Sequence, residues 1–225
     1  MDASRILTVP AAYMDMITKE LDPAKELAGL LPYLSGRIVE VFCRTGRLGE
    51  YLLAKGYQWQ GCDPDSSMIE YSIQRVGFNV QDIRVPHTNS ADTILGLFAP
   101  FSYTPPEELA GFAQGIHDAL TEKGRAIFEL WFTPETAKPY YSIMDTYETS
   151  TVKLVRAVVP ILKGSQAIFD FHWLVGTTGN VERQNVTVTR YLHSNADIES
   201  AFSIFKQEWI TIADRRYLLL SKNIS

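Results

Sequence analysis

Apolar positions change period twice along the chain, and the changes divide it into three stretches. In residues 11–31, Met14, Ile17, Leu21, Leu27, Leu30 and Leu31 recur at roughly helical intervals, with Asp22-Pro23 as a break and a new start. Two short leading helices are expected. The run "GRIVEVFC" is short, β-branched and flanked by Gly36 and Gly46, the pattern of a strand buried on both faces. "GRLGEYLLAKG" places Leu48, Leu52 and Leu53 on one stripe and closes in Lys55-Gly56, a basic last turn followed by the residue best suited to a left-handed cap. A strand at "YQWQGCD", a helix over "PDSSMIEYSIQRVG" opened by its proline or a serine, and a third strand around "FNVQDI" follow. Next come strand "ADTILGLF", helix "PPEELAGFAQGIHDALTEKG" and strand "RAIFELWF". This alternation predicts an α/β fold: a doubly wound, mostly parallel sheet with helices on both faces and right-handed crossovers.

From Thr133 onward the period falls to two. "TVKLVRAVVP", "SQAIFDFHWLVG" and "VERQNVTVTRYL" alternate apolar with polar residues and are separated by the hairpin signals "ILKG" and "TTGN". They predict an antiparallel β lobe, residues 133–190, inserted after the fifth strand of a Rossmann-like domain made of residues 1–132 and 191–225. "SNADIESAFSIF" then reads as a helix capped by Ser194 or Asn195. "KQEWITIAD" and "RRYLLLSK" close the chain as a hairpin turning at Asp214, which brings the main sheet to about seven strands.

Composition narrows the function classes. A chain of 225 residues with 46% hydrophobic, 12% aromatic and 21% charged residues is an ordinary globular protein, one domain with an insertion. The formal net charge is -5 and the 21 basic residues are scattered, so a nucleic-acid partner is not expected. No apolar run approaches the ~20 residues of a membrane span, and the start lacks a basic region followed by an apolar stretch. A soluble, cytoplasmic protein with no membrane partner is expected. Cys43 and Cys62 fall at neighbouring strand ends, where buried thiols usually serve as small core residues without a disulfide. His87, His117, His172 and His193 are isolated and lack metal-ligand spacing, so no metal is expected.

Candidate chemistry gathers where a parallel sheet binds ligands, beyond the carboxyl ends of its strands. Glu40 lies in the first strand, the turn after it runs Phe42-Cys43-Arg44-Thr45-Gly46, and Asp63 ends the second strand about 20 residues later. Glycines in such a turn let the backbone approach a cofactor, and an acidic residue at the second strand's end accepts from ribose hydroxyls. "EVFCRTGRLGEYL" resembles the first motif of the class I S-adenosylmethionine-dependent methyltransferases, in which an acidic residue and two spacers precede Cys-Gly-Thr-Gly. Glu40, Cys43, Thr45 and Gly46 hold four of those positions. "GCDPDSSMIEYS" and "VQDIR" are similar to the family's second and third motifs, and the likeness covers nearly the whole chain.

This resemblance implies S-adenosylmethionine as cofactor, with Asp63 on the ribose, Ser67 and Met68 beside the adenine, and Asp82 and Ile83 at its edge. It implies Tyr13 closing over the cofactor, although a helix aromatic is commonly just packed. "AIFELWFTPE", "FDFHWLV" and the antiparallel insertion resemble the bacterial N,N-dimethyltransferases of nucleotide-linked deoxysugars. Methyl transfer to a small-molecule substrate, an amine, is what that narrower likeness implies. It also implies an acceptor cleft containing Glu129, Trp131, His172 and Trp173, with Glu129 and His172 as the catalytic candidates; on the residues alone a histidine placed like His172 is more often a satisfied hairpin residue than a base. Phe98, Phe101 and Tyr103 in "GLFAPFSY" could wall that cleft or pack under the next helix. The lobe either roofs the cleft or pairs with a second subunit, and a homodimer is expected.

Phe42 and Arg44 depart from the family pattern, standing where small residues and glycine are usual. On the usual backbone path, Arg44 would point at the methionine half of the cofactor. Its guanidinium could pair with the cofactor carboxylate, pair with Glu40 or Glu50 and fill an empty site, or accompany a rerouted turn. A scaffold or regulatory protein without transfer activity, or an enzyme using the cofactor for another reaction such as cyclisation, are the corresponding alternatives.

Overall fold

The structure, a computed structural model, describes residues 11–77, 80–81, 84–137 and 142–223. Asp82 and Ile83, expected at the adenine edge, lie outside the described residues.

Helices α1 (Ala11–Ile17) and α2 (Pro23–Leu27) lead the chain, and Asp22 caps α2 by accepting from the Ala24 N–H. Helices this short have little stability of their own, so packing must hold them. Leu27 and Leu30 are accordingly fully buried against Ile38, Leu48 and Leu52.

The main sheet has seven strands in the order β10-β11-β5-β4-β1-β2-β3. These are β1 (Arg37–Val41), β2 (Gln58–Cys62), β3 (Val80–Gln81), β4 (Ala91–Gly96), β5 (Leu120–Leu130), β10 (Phe205–Ile212) and β11 (Arg215–Lys222). The first five run parallel, and the closing hairpin is antiparallel. Strand β1 is central and nearly continuous in apolar residues because both its faces are covered. Val39 and Val41 join one apolar layer while Ile38 joins the layer on the other side. Helices α3 (Arg47–Ala54), α4 (Ser66–Val76), α5 (Leu109–Ala119) and α6 (Asn195–Ala201) complete the two layers. The strand order reverses between β1 and β4, so the crevice for a ligand opens beyond their carboxyl ends.

A separate four-stranded antiparallel sheet is formed by β6 (Ile143–Glu148), β7 (Lys153–Lys163), β8 (Gln166–Thr177) and β9 (Asn180–Tyr191). Three boundaries differ from the sequence reading. Helix α4 is capped by Asp65, whose carboxylate accepts from the N–H groups of Ser67 and Met68. Helix α5 stops at Ala119 because Leu120 is already paired with Ala91 of β4, so "TEKG" belongs to the strand. Strand β6, whose "IMDTYE" carries too little apolar character to stand out, was not expected. Capping of α6 falls to Ser194, in a box with Asp197.

Candidate functional site

The turn after β1 answers the question raised by its missing glycines. Phe42, Arg44 and Gly46 have φ angles of 55°, 53° and 70°, so every second residue is left-handed. For a residue with a side chain this conformation costs about 1–2 kcal/mol. The turn therefore keeps the path that glycines would take freely, against the preference of two of its residues. Phe42 recovers the cost by burial and by stacking on Tyr103 at 5.1 Å between ring centroids. The Arg44 backbone N–H donates to Asp63 Oδ2 at 2.8 Å, and its Nη2 donates to Tyr103 Oη at 2.7 Å.

A second strained turn lies beside the first. Phe98 and Ala99, just beyond β4, are also left-handed, with φ of 61° and 55°. Here the Phe98 N–H donates to Glu129 Oε2 at 2.7 Å, while Glu129 Oε1 lies 3.4 Å from the Arg215 guanidinium. Two buried carboxylates thus brace two strained turns, Asp63 the first and Glu129 the second. Glu129 is a positioning residue in this arrangement; its oxygens face the Phe98 backbone and Arg215, away from the aromatic cleft.

Burial sets the electrostatics. It pushes the Asp63 carboxyl up to about 6, even though the N–H groups of Asp65 and Arg44 favour the charged form. Glu40 is pushed up to about 8 by burial, against its hydrogen bond from Trp59 Nε1 at 3.0 Å and the nearby Arg47. For Tyr103, burial alone would raise the phenol, but Arg190 and Arg44 outweigh it and bring the group below its ordinary 10.0.

A cleft of about 220 Å³ lies between these turns and the antiparallel sheet. Arg44, Phe98, Tyr103 and Trp131 line one side, and Met14 and Ile17 of α1 close one end. The opposite wall is an aromatic ladder on β8, where Phe169 stacks on Phe171 and Phe171 on Trp173, each pair at 6.0 Å. Strand pleating puts alternate residues on opposite faces, so His172, between two ladder members, points the other way. Its ring nitrogens meet Asp170 Oδ2 at 3.2 Å and Asn185 Oδ1 at 3.0 Å on that far face. The structure does not bring His172 to the cleft.

The remaining candidates divide. Phe101 packs in the core with Phe112, Phe128 and Phe202 rather than in the cleft wall, because a 3-10 turn of about three residues per revolution sends Phe101 and Tyr103 to different sides. Met68 is fully buried in an apolar cluster with Met14, Leu154 and Trp173, and Tyr13 packs on that cluster with its ring 6.5 Å from Trp173. Ser67 is exposed and donates to Asp65 Oδ1. Arg156, Phe132, Phe169 and Arg190 line the cleft without having been singled out in the sequence.

This arrangement matches solved structures over almost its full length. DesVI of Streptomyces venezuelae superposes with a TM-score of 0.83 at 17% identity, covering 95% of this chain and 97% of that one. The chain has a methyltransferase fold. CalS10 of Micromonospora echinaspora, an amino pentose methyltransferase solved with S-adenosylmethionine bound, gives 0.78 at 16% identity, with 96% and 98% covered. KedS8 of Streptoalloteichus sp. ATCC 53650, a sugar N-methyltransferase, gives 0.76 at 16%, with 96% and 88% covered. No protein-family model and no curated protein sequence matches the chain.

The methyltransferase fold raises the question of whether these residues suit S-adenosylmethionine. At the adenosine end the acceptors are of the right kind, since each Asp63 oxygen accepts one backbone N–H, at 2.8 and 2.9 Å, and keeps a second acceptor site for a ribose hydroxyl, but Asp63 itself is buried and lines neither the aromatic cleft nor the small space at the methionine end. At the methionine end the residues do not suit it while Arg44 lies as it does. The space enclosed by Met14, Thr18, Glu40, Arg44, Arg47 and Phe98 is about 20 Å³. That is roughly the room one water molecule needs.

Proposed function

We propose that the chain is an S-adenosylmethionine-dependent methyltransferase that acts on an amino group of a small molecule. The observation that carries this reading is the braced left-handed turn with Asp63 beside it, opening at the sheet's switch point onto an aromatic cleft. Structural likeness to an amino pentose methyltransferase and a sugar N-methyltransferase supports an amine as acceptor. When bound, the cofactor supplies the electrophilic methyl group. The chain's own residues orient and exclude water: Asp63 holds the ribose, Glu129 fixes the Phe98 turn, and Phe98, Tyr103 and Trp131 flank the acceptor. A neutral amine attacks without help, and the product ammonium loses its proton afterwards, so the aromatic wall suffices without a buried base.

Calorimetric titration with S-adenosylmethionine and S-adenosylhomocysteine tests the reading, and micromolar binding of both is expected. The small methionine end favours a second reading, a protein that keeps the fold without transfer. Arg44→Gly separates the two: binding weakens if the guanidinium holds the cofactor carboxylate and tightens if it blocks the site.

The antiparallel sheet β6–β9 faces the cleft on one side, and its other side carries exposed Met144, Val159, Ile161, Leu174 and Val181 beside Asp170, His172 and Asn185. Five exposed apolar side chains on one mixed face suit a second copy of the chain, so a homodimer belongs to the proposal; monomer alone in light scattering at micromolar concentration would remove it. No helix among the described residues is long and apolar enough to cross a membrane. The free, buried thiols Cys43 and Cys62 accord with a reducing, cytoplasmic setting.

A further inference from the structure

Arginines with buried or half-buried side chains follow a pattern in this protein. Arg47, Arg75, Arg84, Arg156 and Arg215 each lie against a carboxylate, on Glu26, Asp15, Glu108, Asp145 and Glu129 respectively. Arg44, Arg125 and Arg190 break it, and of these Arg44 and Arg190 reach the cleft. Both are half-buried, both line the 220 Å³ cleft, and among the described residues no carboxylate oxygen lies within 4.0 Å of either guanidinium. Both instead converge on Tyr103: Arg44 donates to its hydroxyl at 2.7 Å, and the Arg190 guanidinium carbon sits 3.7 Å from the centre of its ring. Two like charges gathered on one phenol in an aromatic cleft are costly unless an anion joins them. Burial is the largest influence on Arg190 and pulls it below its ordinary value; the Tyr103 phenol opposes that shift and the Arg44 charge adds to it.

We infer that Arg44 and Arg190 form an anion site in the cleft, and that the molecule filling the cleft carries a carboxylate bound between them. The inference rests on the reading of the cleft as the acceptor site. The location favours the acceptor over the cofactor as the source of the charge: Arg190 comes from β9 in the roof and takes no part in the small methionine-end space, which Arg44 borders from the other side. The size favours a small ligand, since 220 Å³ is below the roughly 300–1,000 Å³ typical of sites for drug-sized molecules. A planar carboxylate suits the guanidinium fork, and the Phe169, Phe171 and Trp173 ladder suits an apolar or aromatic body. The acceptor class is therefore a small amino-bearing carboxylic acid.

The test titrates the full chain, with no cofactor present, with benzoate, phenylacetate and 3-phenylpropionate and with the primary amide of each. At least one acid is expected to bind about tenfold or more tightly than its amide, the loss that follows from exchanging a charge-assisted pair for a neutral one. Arg190→Gln should remove that preference and Arg190→Lys should restore part of it. Equal binding of acid and amide, or no binding of any acid up to millimolar concentration, overturns the inference. So does an Arg190→Gln protein that loses S-adenosylhomocysteine affinity as strongly as acid affinity, because the anion would then be the cofactor's. Cofactor binding with no preference for acids sinks this inference alone, whereas acid preference without cofactor binding sinks the methyltransferase reading and leaves the anion site standing.

Discussion

Glu40→Gln should make the protein more stable at alkaline pH, and the structure fixes how much. The Glu40 side chain is almost wholly enclosed, its relative exposure being 4%, and burial raises its carboxyl from the ordinary 4.5 to about 8. Folding then binds a proton across that interval, so the contribution of Glu40 to stability is greatest below pH 4.5 and is lost as pH rises through about 8. At about 1.4 kcal/mol per pH unit, the full loss is about 5 kcal/mol. Glutamine copies the neutral acid: its carbonyl can still accept from Trp59 Nε1 at 3.0 Å, and it cannot ionise. Urea unfolding of both proteins at pH 5.5 and pH 9 isolates the effect, because other titrating groups cancel in the difference between them. The two should agree within about 1–2 kcal/mol at pH 5.5, and the variant should lead by about 3 kcal/mol more at pH 9. Parallel stability curves, or a variant that falls further behind at pH 9, would refute the account of Glu40 as a neutral buried acid.

Three further outcomes follow from the site. His172→Asn should leave cofactor binding and turnover within about twofold of wild type, since the ring lies on the far face of β8; a larger loss in either would bring His172 back into the chemistry. Phe42→Gly relieves about 1–2 kcal/mol of left-handed strain but removes a buried ring worth about 3–5 kcal/mol, so Tm should fall by about 4–8 °C, and a rise would mean that strain dominates the turn. Gly49→Ala puts a Cβ about 2.4 Å from the Trp59 ring, so that ring must move; a loss of about 1–3 kcal/mol in urea unfolding is expected, together with a change in near-ultraviolet circular dichroism.

Much of the architecture was legible because period alone separates buried parallel strands, amphipathic helices and half-wet hairpins. The places where the reading failed have physical causes. Arg44 and Phe42 adopt a backbone that their side chains disfavour, and propensity cannot anticipate a conformation that only the surrounding hydrogen bonds enforce. Arg190 carries no local signal: it meets Tyr103, which reaches it from the 3-10 turn after β4, and no spacing along the chain encodes that contact. His172 was decidable. Phe169, Phe171 and Trp173 share a face by alternation, and an aromatic ladder is the face that lines a cleft, which sends the histidine to the other side. Glu129, at the end of β5, faces away from the aromatic cleft and holds the Phe98 turn. The α5 boundary failed for the opposite reason, because pairing with β4 claimed Leu120 before the helix could.

The apolar cluster that joins Met14 of α1 to Met68 and Trp173 also constrains the order of biosynthesis. Helix α1 leaves the ribosome before its partner Trp173, which follows roughly 160 residues later, about 10–30 s at ordinary translation rates. During that interval Met68 of α4 can already meet the α1 segment, but the part of the segment's apolar side that Trp173 covers stays open. A chain ended within the lobe before β8 lacks Trp173 and leaves that side of the cluster open to solvent, so such fragments should aggregate more readily than the full chain.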